Sequence, residues 1–207
     1  MKTEIIAILD RSGSMSSCAN EAIGGFNNFL NEQKLIPGEA RMTLVLFDDQ
    51  YERLYEGKHL VDAKMLTPDV YYARGMTALL DAIGRTLEEQ GKRIAIDMWA
   101  EKVIVCIVTD GLENASKEYT DGRISGMIKH AESKGWSFIY LGANQDAFQV
   151  GATIGISPQF TQSYAGTAAG TQVAYANLSA TASSLRTGSV TAVTSTVTPD
   201  KDSTASA

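Results

Sequence analysis

The sequence predicts an α/β protein with a doubly wound, mainly parallel sheet, helices on both faces and one antiparallel edge strand. Three observations lead there. Unbroken apolar runs at residues 5–9 (Ile-Ile-Ala-Ile-Leu) and 103–108 (Val-Ile-Val-Cys-Ile-Val) read as strands covered on both faces. Segments of helical spacing fall between the strands, the alternation that builds a parallel sheet through crossover helices. The 207 residues suffice for one large domain of this kind with a well-buried core.

The elements follow in order. Residues 19–34 place Ala22, Ile23, Phe26, Phe29 and Leu30 on one helical face, and Pro37-Gly38 ends that run. Residues 41–47 read as a second strand, Asp48-Asp49-Gln50 as a turn, and 51–55 as a short strand returning antiparallel at an edge. A helical turn is expected within 61–66 and a loop over 67–75, which contains Pro68. The next helix is predicted over 77–90, with Leu79, Leu80, Ile83 and Leu87 inward and Gly91 at its end. Beyond the strand at 103–108, residues 119–134 carry Ile124, Met127, Ile128 and Ala131 at helical spacing, with Gly135 as the cap. Residues 137–141 are the next strand, and 146–154 a short helix weakened by Gly151.

After Gly155 small and hydroxyl residues dominate. A short strand within 156–164 and a last helix over about 172–186 complete a domain of residues 1–186. Val173, Ala176 or Asn177, Ala180 and Leu185 mark one face of that helix. Residues 187–207 read as a Ser/Thr-rich C-terminal tail, disordered or an extended arm.

Composition narrows the function classes. A formal net charge of −6 argues against nucleic acid as the main partner, because phosphate binding needs a basic surface. No run approaches the ~20 apolar residues needed to span a bilayer. The chain begins with Met and enters a strand within a few residues, without the charged and apolar regions of a signal peptide, so a cytoplasmic protein is expected. Cys106 reads as a small buried hydrophobe and Cys18 as half exposed; sequence alone leaves a disulfide between them open. His59 and His130 lie far apart without a Cys/His cluster, which argues against zinc.

The chemistry concentrates where strands stop. Asp10-Arg11-Ser12-Gly13-Ser14 sets one carboxylate and two hydroxyls on a tight turn after the first strand. Thr77 begins a helix, and Asp110 follows the strand ending at Val108. In open sheets of this type ligands bind outside the carboxyl ends of the strands, so neighbouring first and 103–108 strands would bring Asp10 and Asp110 to one edge. Asp10, Ser12, Ser14, Thr77 and Asp110 then offer the hard oxygen donors that Mg²⁺ favours, short of six protein ligands. Taken singly, Asp10, Ser14 and Thr77 read more readily as helix caps than as ligands. Their joint position at strand and helix ends favours a metal.

These residues resemble the metal-ion-dependent adhesion site of the von Willebrand factor type A domain family. The matching segments are Asp10-Arg11-Ser12-Gly13-Ser14-Met15, Arg74-Gly75-Met76-Thr77-Ala78-Leu79 and Val108-Thr109-Asp110-Gly111, within a resemblance covering roughly residues 2–155. It implies a Rossmann-like, mainly parallel sheet with one antiparallel edge strand. It also implies that Ser12, Ser14 and Thr77 contact the metal, with Asp10 and Asp110 binding directly or through water. The short, leaderless form is similar to bacterial and phage-type single-domain members.

The expected function is a non-enzymatic module that binds Mg²⁺, with Mn²⁺ or Ca²⁺ as substitutes, and a protein partner whose Asp or Glu completes the shell. Arg11, Tyr71, Tyr72 and Glu113 are the candidate rim residues. Tyr71 and Tyr72 serve as aromatic anchors for the partner or as packing for their loop. Glu113 serves as a rim contact or an exposed turn residue. Two other classes stay open: a metal-assisted hydrolase, against which no general base is evident, and an assembly component that self-associates through its C-terminal region. Oligomeric state is not legible.

Overall fold

The computed structural model describes residues 1–143 and 146–189. Six strands form one sheet: β1 (Lys2–Asp10), β2 (Glu39–Phe47), β3 (Tyr51–His59), β4 (Lys102–Thr109), β5 (Trp136–Ala143) and β6 (Thr161–Tyr164). Their spatial order is β3-β2-β1-β4-β5-β6, with every neighbouring pair parallel except β2 and β3. The expected antiparallel edge strand is therefore β3, and it runs four residues past the predicted Tyr55.

Alternation along β1 divides the core. Ile5, Ala7 and Leu9 face α1 (Ala19–Leu35) and α5 (Ala168–Thr187). Ile6 and Ile8 face α2 (Leu79–Asp97), α3 (Asp121–Glu132) and α4 (Ala147–Thr153). Chain order proceeds outward from β1 to one side and from β4 to the other, so β1 and β4 flank the point where the winding reverses. Such a point opens a crevice at the carboxyl ends of its strands. Leu9 pairs with Val108 there, which sets Asp10 and Asp110 at one edge.

Several boundaries differ from the sequence reading. Helix α2 passes through Gly91 to Asp97 and ends at Met98 in a left-handed conformation. An interior glycine costs only about 1 kcal/mol. The added turns carry Arg93, which reaches the buried Glu4 at 2.6 Å, and Ile94, which packs on the core. Helix α5 buries Ala174, Tyr175, Leu178 and Ala182, whereas Val173 is exposed. Its small residues make a hydrophobic period too shallow to orient it. The reason it lies so near α1 is Gly25: a β-carbon there would fall 2.4 Å from the Tyr175 ring. Arg186 adds hydrogen bonds to the Gln33 backbone carbonyl and side chain.

Strand β6 and helix α5 thus extend the same sheet and helical layer to Thr187. The tail proposed from 187 lies, beyond Ser189, outside the described residues. Cys18 is fully buried rather than half exposed, and both cysteines are free. Among the described residues no helix is long and apolar enough to cross a membrane.

Candidate metal centre

Backbone contacts gather three loops at the crevice. The turn after β1 is tied to the loop before α2 by Gly13 N–H to the Gly75 carbonyl at 3.1 Å and by Arg74 N–H to the Arg11 carbonyl at 2.9 Å. The loop after β4 joins them through Asn114 N–H and Ala115 N–H, both donating to the Thr77 carbonyl. Thr77 N–H in return donates to Asn114 Oδ1 at 2.9 Å. Tyr71 O–H donates to the Asp10 carbonyl from beneath.

The five candidate ligands meet on that frame. Ser14 Oγ donates to Asp110 Oδ1 at 2.6 Å and lies 3.0 Å from Ser12 Oγ. Asp10 accepts from Ser12 N–H through Oδ1 at 2.6 Å and from Thr109 Oγ1 through Oδ2 at 2.5 Å. A β-carbon on Gly111 would lie 2.5 Å from Thr77 Oγ1 and 3.2 Å from Ser14 Oγ, so a residue without one is required where these oxygens converge. Asp10, Ser12, Thr77 and Asp110 are buried, and Ser14 faces solvent.

The electrostatics of this cluster are uncompensated. Burial pushes the Asp10 carboxyl up to about 6; hydrogen bonds from Thr109 and Ser12 oppose the rise, and the Asp110 charge adds to it. Burial also raises Asp110, against the hydrogen bond from Ser14. The chief opposing groups are hydroxyls and backbone, not a lysine or arginine. Two crowded carboxylates and three hydroxyls fit a hard divalent cation such as Mg²⁺. Among the described residues no group of three or more His, Cys, Asp or Glu side chains is placed to hold a metal, so an ion at this turn would rest on the hydroxyls as much as on the carboxylates.

The expected rim splits. Arg11 is only 1% exposed and turns away from the metal turn, with Nε on Asp48 at 2.9 Å and Nη1 on Glu52 at 2.7 Å. Tyr71 is 2% exposed and braces Asp10 from within. Neither is a rim residue, because each hides its polar end in a bond to the frame. Glu113 turns inward as well: Oε2 accepts from Leu80 N–H in the first turn of α2, and Oε1 from Ala115 N–H and Ser116 N–H. It supplies a distant cap for orphan amides. Tyr72 alone of the four stands at the surface.

Sequence reasoning missed Thr109 as the holder of Asp10 and Asp48 as the partner of Arg11. Thr109 directly precedes a candidate ligand, a local signal that was available; Asp48 gave none.

No protein-family model matches the chain, and no curated protein matches it. Solved structures do. Proximal thread matrix protein 1 (PTMP1) from the mussel byssus, with a zinc-occupied MIDAS motif, superposes with a TM-score of 0.64 at 15% identity, over 87% of this chain and 46% of that one. The vWF domain of the type V pili tip protein Mfa5 from Porphyromonas gingivalis gives 0.62 at 12% identity, over 87% and 94%. The pilus adhesin SpaC from Lactobacillus rhamnosus GG gives 0.64 at 17%, over 86% and 29%. The chain spans about half the length of PTMP1. With its 3-2-1-4-5-6 sheet, single antiparallel edge and flanking helices, the chain has the fold of von Willebrand factor type A domains.

Proposed function

We propose that this chain is a divalent-metal-dependent protein-binding module. Asp10, Ser12, Ser14, Thr77 and Asp110 hold Mg²⁺, and an Asp or Glu of a partner protein completes the coordination. The observation that carries the reading is the meeting of these oxygens, from three loops, around two buried carboxylates whose bonded partners among the described residues are neutral. A bound divalent ion would supply the Lewis-acidic position that an incoming carboxylate needs. The protein's own residues do the rest. Ser12 N–H and Thr109 Oγ1 fix both oxygens of Asp10, and Ser14 orients Asp110. Ser14 keeps the assembly open to solvent.

Likeness to an adhesin and a pilus-tip domain supports adhesion or scaffolding rather than catalysis, and the zinc-occupied motif of PTMP1 supports a metal at this edge of the fold. The all-oxygen donor set favours Mg²⁺, with Mn²⁺ or Ca²⁺ as substitutes.

The test is capture of host proteins on the immobilised chain in Mg²⁺ and in EDTA, repeated with a Ser12→Ala, Ser14→Ala double variant. Expected is a partner retained only by the wild-type chain in Mg²⁺, while the double variant keeps its circular dichroism spectrum. Retention that survives both EDTA and the double substitution rejects the reading.

A further inference from the structure

We propose that Met76 and Leu112 form an apolar collar at the metal centre, and that the segment it accepts is an acidic residue flanked by large apolar side chains on a partner protein. The inference rests on the metal-dependent reading above and deepens it.

Each collar residue adjoins a metal-holding segment. Met76 precedes Thr77 and is 57% exposed; Leu112 lies two residues after Asp110 and is 65% exposed. Their loops touch, since the Gly111 backbone is packed against Thr77 Oγ1 and two amides of the 111–116 turn bond to the Thr77 carbonyl. The two apolar side chains therefore stand on fixed backbone, close to the outward position of the ion. Tyr72, 47% exposed, extends the same rim. Arg74 stacks over its ring at 5.3 Å and donates to its hydroxyl at 3.0 Å, and Arg74 is itself anchored on Asp48 at 2.7 Å. Such preorganised apolar groups lose little freedom on binding.

Scattered apolar residues on a surface need no explanation in general. Of the other exposed ones, Met1, Leu35, Val61, Ile96 and Met98 sit at the opposite end of the sheet, and Met65, Val70, Phe148 and Val173 are less exposed than Met76 and Leu112. At the metal edge the occupant is constrained. The ion selects a carboxylate, but one carboxylate bond gives no selectivity among acidic proteins. Met76, Leu112 and Tyr72 offer the additional contact, and it is apolar.

The experiment is selection of a phage-displayed random peptide library on the immobilised full chain in Mg²⁺, with elution by EDTA. Expected are peptides with Asp or Glu beside Leu, Ile, Met, Val or Phe. A Met76→Ser, Leu112→Ser double variant should still capture acidic peptides in Mg²⁺ but without the apolar preference. It should bind the recovered peptides about ten- to a hundredfold more weakly, as expected for two lost apolar contacts. Its Mg²⁺ affinity by calorimetry should be unchanged, which separates a lost collar from a damaged centre. Acidic peptides without apolar bias, or undiminished binding by the double variant, overturn the collar and leave the metal-dependent reading standing. Absence of any EDTA-eluted acidic peptide overturns that reading, and the collar with it.

Discussion

Asp10 closes β1 and Asp48 follows β2, the strand beside it, and both carboxylates are shut away from solvent. Their surroundings are opposite. Burial pushes Asp48 up, but hydrogen bonds from Arg74, the Gln50 amide and Arg11, with the Arg11 charge, more than offset this and hold it below the ordinary carboxylate range. The donors to Asp10 among the described residues are neutral, and burial leaves it at about 6. The arginine nearest to Asp10 in sequence is Arg11, and it is committed to Asp48 and Glu52. Where the chain supplies the counter-charge, the carboxylate is a structural tie. Where it withholds one, the carboxylate keeps an unmet charge, the place the proposed ion would take.

Four measurements break or sharpen that contrast. Asp48→Ala leaves Arg11 buried without its main partner, and should lower unfolding free energy in urea by about 3–5 kcal/mol. A loss below about 1 kcal/mol would mean that Asp48 is not the tie described. Next in size is the ion itself. Mg²⁺ at a hundred times its dissociation constant should stabilise the wild-type chain by about 2.7 kcal/mol. It should leave Asp10→Asn unchanged. Without metal, Asp10→Asn should match or exceed wild type at pH 7.5. The amide can accept from Ser12 N–H and donate to Thr109, whose hydroxyl can turn to the Gly111 carbonyl at 3.2 Å.

The pH response has the third-largest effect. A folded-state value raised from 3.8 to about 6 means the folded chain holds the proton more tightly than the unfolded one. This contribution to stability is complete below the unfolded value and is lost as pH rises through about 6. Metal-free wild type should therefore gain on the order of 1 kcal/mol relative to Asp10→Asn on going from pH 7.5 to pH 5. Saturating Mg²⁺ should reverse that trend, because proton and ion compete for one carboxylate. Calorimetric unfolding at the two pH values, with and without Mg²⁺, reads both. Smallest is Arg74→Gln, which leaves Arg11 on Asp48 and removes the partner of Asp48 that faces solvent; by urea titration its loss should be smaller than each of those above.

The fold and the meeting of the five candidate ligands were legible because their signals are local. Apolar runs mark β1 and β4, and each candidate ligand sits within a short motif at the end or start of an element. What escaped depends on distance. Nothing in Asp48-Asp49-Gln50 says which carboxylate turns inward to meet an arginine 37 positions earlier. The same holds for Tyr71, whose hydroxyl finds a carbonyl 61 positions away, and Glu113, whose partners lie partly on another helix. Helix α5 was misoriented for a different cause. Its face is set by Gly25 and Gln33 on α1, not by its own alternation of alanines and hydroxyls.

That contact between Gly25 and Tyr175 has a mechanical consequence. With an aromatic ring filling the space a β-carbon would take, α5 cannot slide along α1 without a steric collision. The Arg186–Gln33 bonds pin its far end. A pull applied at Thr187 would pass through the paired helices to Cys18 and Met15, beneath the loop that carries Ser14.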